Sequence, residues 1–154
     1  MQIKSTRFGE FEVSEELVVQ FPEGLPGFED QKQFAFLPYT VEEDNSPFAY
    51  MQSVHDPDLN LLLADPFLFF KHYNLEMNDE DAAQLGLSDS EETAGVYGVV
   101  SVPRDRMDQM TVNLVAPIVV NWKEQKGMQI ILNRSPYSTK HRLFPLGLPQ
   151  EQTK

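Results

Sequence analysis

The sequence predicts a mostly β protein: a small antiparallel, barrel-like single domain with one or two short helices. Three observations carry this. Eleven prolines and eight glycines among 154 residues cut the chain into short segments, which disfavours long helices. Most of those segments alternate apolar and polar residues or are rich in β-branched and aromatic residues, the pattern of strands. Only one stretch carries both a helix start and a helix stop. The length suits one domain with a real core. Its expected extent is residues 1–144, with 145–154 as a flexible tail after Phe144.

Taken in order, Ile3 to Thr6 and Glu10 to Val13 predict an opening hairpin around Gly9. Val18 to Phe21 is a short extended run stopped by Pro22 and the turn-rich Glu23-Gly24-Leu25-Pro26-Gly27. Phe34 to Leu37 and Phe48 to Val54 are further strands, separated by an acidic loop around Glu42, Glu43, Asp44 and Pro47. Leu61 to Ala64 is a continuous apolar run, as expected of a strand covered on both faces. Val96 to Val102 is rich in Val and Tyr. Thr111 to Val120 alternates, with Val112, Leu114, Ala116, Ile118 and Val120 expected on one face. Pro117 has no N–H for a ladder, so that strand is expected to bulge there or to lie at an edge. Met128 to Leu132 follows after a turn and is expected to pair back on it. The helix starts at Asn78 as cap, has Asp79, Glu80 and Asp81 in its first turn and ends at Gly86. Pattern alone leaves barrel and sandwich both open.

Charge is unevenly placed. The formal net charge is −12, and between Gln33 and Pro103 thirteen carboxylates face a single base, Lys71. The whole excess therefore sits in the middle of the chain, and from Arg104 onward bases outnumber acids. Such a field repels phosphate backbones, so direct nucleic-acid binding is not expected, whereas a basic protein would be attracted. The plainer reading of the acidity is solubility. No apolar run reaches the roughly 20 residues of a membrane helix, and Met1-Gln2-Ile3-Lys4 leads into polar sequence without the apolar core of a signal peptide. With no cysteine, disulfides and thiolate chemistry are out, which is compatible with a reducing cytoplasm.

Catalytic and metal-binding patterns are scarce. His55, His72 and His141 lack ligand spacing, and there is no Gly-x-Ser-x-Gly elbow or phosphate-cradling Gly-rich loop. Asp56/Asp58 and Asp79/Asp81 are carboxylate pairs, but hydrolytic pairs must face each other across a cleft in unlike environments. Neither pair has the ligand pattern of a calcium loop. No cofactor, metal or catalytic residue is expected. Two apolar patches remain. Phe67-Leu68-Phe69-Phe70 reads first as core filling and second as a groove rim for an amphipathic helix. Ser135 to Arg142 mixes hydroxyls, an aromatic and bases; it could hold an anion, or Tyr137 could simply anchor the segment on the barrel.

Several segments resemble the FliW family of flagellar assembly factors. Phe21-Pro22-Glu23-Gly24-Leu25-Pro26-Gly27-Phe28 is similar to its F-x-x-G-I/L-P-G-F segment, and Ala64-Asp65-Pro66-Phe67 to its A-D-P-F stretch. Asn113-Leu114-Val115-Ala116-Pro117-Ile118-Val119-Val120-Asn121 resembles its N-L-x-A-P-I-x-x-N strand. Ser135-Pro136-Tyr137-Ser138-Thr139-Lys140-His141 resembles its terminal S-P-Y-S-T-R/K-H. Each is loose alone; four in order are specific, and together they span nearly the whole domain. The resemblance implies a non-enzymatic, cytoplasmic binding protein, a monomer when free. Its implied partners are flagellin, held before export, and the translational repressor CsrA, a small basic RNA-binding dimer. Exported flagellin frees the factor, which then binds CsrA and relieves repression of flagellin messenger RNA.

On those partners, charge places the CsrA contact at Asp79, Glu80, Asp81, Glu91 and Glu92, with Asp56 and Asp58 next. Apolar chemistry places the flagellin contact at exposed parts of Phe67, Leu68, Phe69, Phe70 and Tyr73. Gly24, Pro26, Gly27 and Pro117 are expected to act on conformation rather than contact. The competing readings are a generic acidic β-domain that binds another basic protein as a nucleic-acid mimic, and a metal-assisted hydrolase.

Overall fold

A computed structural model describes residues 1–38, 47–87, 94–132 and 135–145. The opening hairpin pairs β1 (Gln2–Ser5) with β2 (Gly9–Glu12). The main sheet comprises β3 (Val18–Gln20), β4 (Gln33–Pro38), β5 (Phe48–Ser53), β6 (Asn60–Ala64), β7 (Ala94–Ser101), β8 (Thr111–Asn121), β9 (Lys126–Gln129) and the short β10 (His141–Arg142). β3 to β8 pair in sequence order and antiparallel. β9 returns antiparallel on β8 and meets β3 through a parallel contact, Gln20 with Lys126. Seven strands thus close into a barrel, with β10 outside it on β8. The choice between barrel and sandwich falls to the barrel, because β9 supplies the pairing that removes both sheet edges.

Side chains alternating along the strands sort into an interior and two outer layers. The interior holds Val19, Phe21, Phe34, Phe36, Met51, Leu63, Ile118 and Val120. Phe21 and Phe34 meet edge to face with ring centres 5.3 Å apart, and each fully buried ring stabilises the fold by about 2–3 kcal/mol. Leu61 packs on this interior and Leu62 on an outer layer, which explains the unbroken apolar run of β6. The opening hairpin covers one outer face with Ile3 and Val13 against Val18 and Ala35. A second outer layer lies over β6, β7 and β8. It is built from α1 (Pro66–Phe69), α2 (Asp79–Leu85), the chain between them and residues 130–132 and 135–144.

Pro117 does bulge β8. Tyr97 opposes Ile118 and Val99 opposes Asn113, so Leu114 to Pro117 bulge opposite Gly98 alone. The bulge amides are all satisfied: Asn113 Oδ1 accepts from the N–H of Val115 and of Ala116, and the Leu114 N–H donates to the Ser138 carbonyl. Proline needs no such partner. One expectation is corrected here. Val112 and Leu114 belong to the outer layer, whereas Ile118 and Val120 point into the barrel. The bulge shifts the alternation between them, so the five residues do not share one face.

Candidate functional site

The predicted helix is α2. Asn78 Oδ1 accepts the Asp81 N–H at 2.7 Å, and Gly86 closes the helix at φ 75°. Its C-terminal end is tied to the barrel by Asn121, whose Nδ2 donates to the Leu85 carbonyl at 2.8 Å. The Asn121 Oδ1 also accepts the N–H groups of Lys123 and Glu124 in the β8–β9 turn. Leu85 is buried beneath the helix. Asp79 and Glu80 are exposed and Asp81 is half-buried. Among the described residues no ion pair neutralises any of the three. Glu91 and Glu92 lie outside the described residues.

Asp56 and Asp58 serve a different local purpose. Asp56 is half-buried, and its Oδ1 accepts the Asp58 N–H at 3.0 Å. Asp58 accepts a hydrogen bond from the Thr6 hydroxyl, and the Thr6 N–H donates to the Pro57 carbonyl at 2.9 Å. The pair therefore pins the β5–β6 turn to the opening hairpin, although Asp58 keeps exposed surface. It does not meet the acids of α2 in any described contact. Among the described residues, no three or more His, Asp or Glu side chains converge as metal ligands.

The aromatic run divides in two. Asp65 caps α1 by accepting the Phe67 N–H, and Pro66 occupies the first helical turn, where its missing N–H costs nothing. This one-turn helix exposes Phe67 (44%) and Leu68 (62%). Phe69 and Phe70 are half-buried in the outer layer, where Phe69 packs against Phe48 and Phe144, and Phe70 against His141. Tyr73, expected to share exposed surface with them, is buried at 6% and is corrected to a core residue. Its hydroxyl donates to the Leu114 carbonyl at 2.8 Å, which gives the β8 bulge a further anchor. Burial drives its phenol far above the ordinary tyrosine range, so it stays neutral.

Tyr137 anchors its segment as the plainer reading had it. Its hydroxyl accepts the Asn74 N–H at 2.8 Å, and its ring meets Tyr73 at 4.8 Å. Since Phe67 meets Tyr73 at 5.6 Å, ring contacts run from the exposed α1 turn to Tyr137. There the wall of a groove begins, between residues 74–81 on one side and residues 130–132 and 135–137 on the other. Acidic and aromatic surfaces are thus neighbours, not opposite poles. Sequence reasoning missed Ile131, 57% exposed on this groove. Its signal was parity: Ile130 and Leu132 are buried, so an alternating segment must turn Ile131 outward.

The turn around Gly24 and Gly27 is held by backbone conformation. Gly24 sits at φ 66°, and a Cβ there would come within 2.6 Å of the Glu29 carbonyl oxygen. Gly27 lies at φ 86°, where side-chain-bearing residues are strained.

The fold first defines a class, the small closed antiparallel β-barrel with its candidate contacts on an added outer layer. Residues 2–143 match the model of the FliW protein family, and the chain belongs to that family. It is 46% identical over 145 residues to a flagellar assembly factor FliW of Desulfitobacterium hafniense (strain DSM 10664 / DCB-2), covering 94% of this chain and 92% of that one. A flagellar assembly factor FliW of Heliobacterium modesticaldum is 40% identical, with 98% and 95% covered. The crystal structure of a flagellar assembly factor FliW superposes with a TM-score of 0.84 at 38% identity, covering 94% of this chain and 98% of that one.

Proposed function

We propose that this chain is a cytoplasmic, non-enzymatic flagellar assembly factor that holds flagellin before export. When flagellin leaves, the freed chain binds the repressor CsrA and relieves repression of flagellin messenger RNA. Membership of the FliW family supports the flagellar role. The observation that carries the two-partner reading is the presence of two exposed surfaces of unlike chemistry on one outer layer. Phe67 and Leu68 expose apolar area on α1, while Asp79 and Glu80 stand unpaired among the described residues on α2. An apolar helical face of flagellin suits the first by helix-in-groove packing. A basic dimer suits the second, because opposite charge steers encounter.

The test is a pull-down from cytoplasm, before and after flagellin export is blocked, read by mass spectrometry. Flagellin should dominate the bound fraction when export is blocked, and a CsrA-type repressor when export runs. Recovery of neither partner would refute the reading; recovery of unrelated basic proteins in their place would favour the nucleic-acid mimic.

A further inference from the structure

A groove of roughly 440 Å³ separates residues 74–81 from the chain that runs off β9. Its walls differ in kind. One presents Glu76 and Asp81; the other presents Ile131, Pro136 and Tyr137. The backbone holds Ile131 outward: on either side of it, the Ile130 N–H donates to the Pro117 carbonyl and the Leu132 N–H to the Val115 carbonyl. Both of those acceptors lie on the β8 bulge, so Ile131 cannot turn inward without breaking the ladder. Among the described residues lining the groove there are carboxylates but no lysine, arginine or histidine.

We infer that this groove docks a segment of a basic partner protein in which a lysine or arginine stands beside an apolar side chain. The inference rests on the reading that the chain binds a basic protein, and it adds where the segment lies and what holds it. The cation meets Glu76 and Asp81, and the apolar side chain covers Ile131 between Pro136 and Tyr137. A second copy of this chain is a poor occupant, because it carries the same net charge of −12. A nucleic acid would bring phosphates against carboxylates. Charge and apolar contact divide the work: carboxylates raise the association rate, and the contact at Ile131 sets the lifetime.

The test measures association and dissociation rates of a purified CsrA dimer on the wild-type chain and on Ile131→Glu, Ile131→Ser and Glu76→Lys. Ile131→Glu makes the groove more acidic, yet it should dissociate about tenfold faster or more, with association undiminished. Ile131→Ser should show the same direction without added charge, and both should melt near the wild-type temperature because the side chain is exposed. Glu76→Lys should instead slow association and leave dissociation nearly unchanged. If both Ile131 variants dissociate like the wild type, the groove is overturned while the repressor reading stands. If the wild type itself fails to bind CsrA, the repressor reading falls and the inference with it.

Discussion

The acidic start of α2 and the aromatic run around α1 stand a few residues apart in sequence, yet they translate into structure by different rules. Asp79, Glu80 and Asp81 stay at the surface, because a carboxylate buried without a partner would cost several kcal/mol. Phe67 to Phe70 have no such constraint. A one-turn helix must point some of its side chains at the barrel and some away, so two rings pack inward while Phe67 and Leu68 stay exposed. Charge therefore marks a surface from sequence alone. Aromatic content marks only a segment, and the backbone decides which members are available to a partner.

That contrast can be broken at Tyr73 first. Tyr73→Ala should remove about 3–5 kcal/mol of stability, measured by urea unfolding, since it empties a buried site and orphans the Leu114 carbonyl. Phe69→Ala should cost less, about 1–3 kcal/mol, because its ring is only half withdrawn from water while still packed on Phe48 and Phe144. A Phe69→Ala variant that melts with the wild type would move Phe69 into the exposed half. Reversing Asp79, Glu80 and Asp81 to Lys should weaken CsrA binding about tenfold at low salt, through slower association and with reduced salt dependence. Unchanged affinity at low salt would rule that patch out. Leu68→Ala should change stability least, within about 0.5 kcal/mol, because so little of its side chain is covered.

Much of this architecture is legible in the residues. Strand alternation outside β8 and the Asn78 and Gly86 caps express local backbone chemistry and appear where the sequence places them, and the bulge is one of the two outcomes that Pro117 predicts. Barrel closure is not legible in the same way. It depends on Gln125, at φ 55°, whose carbonyl accepts the Gln20 N–H and whose side chain donates to the Glu15 and Val18 carbonyls. No periodicity encodes a contact made by one glutamine across more than a hundred residues. The shared face expected along β8 failed for a related reason: the bulge was foreseen, but its effect on side-chain parity depends on how many residues it holds. The exposed acids of α2 were readable, as was the aromatic segment. The division of that segment at Leu68 and Phe69, and the outward set of Ile131, needed the packing of the outer layer.

The central claim is that the exposed half of the aromatic run carries a partner contact that can be removed without disturbing the fold. Leu68→Asp tests it most directly, through its dissociation constant for purified flagellin with its melting curve recorded alongside. The account predicts affinity lowered about tenfold or more, with melting unchanged and CsrA binding retained. Wild-type affinity for flagellin in a folded Leu68→Asp protein would contradict it.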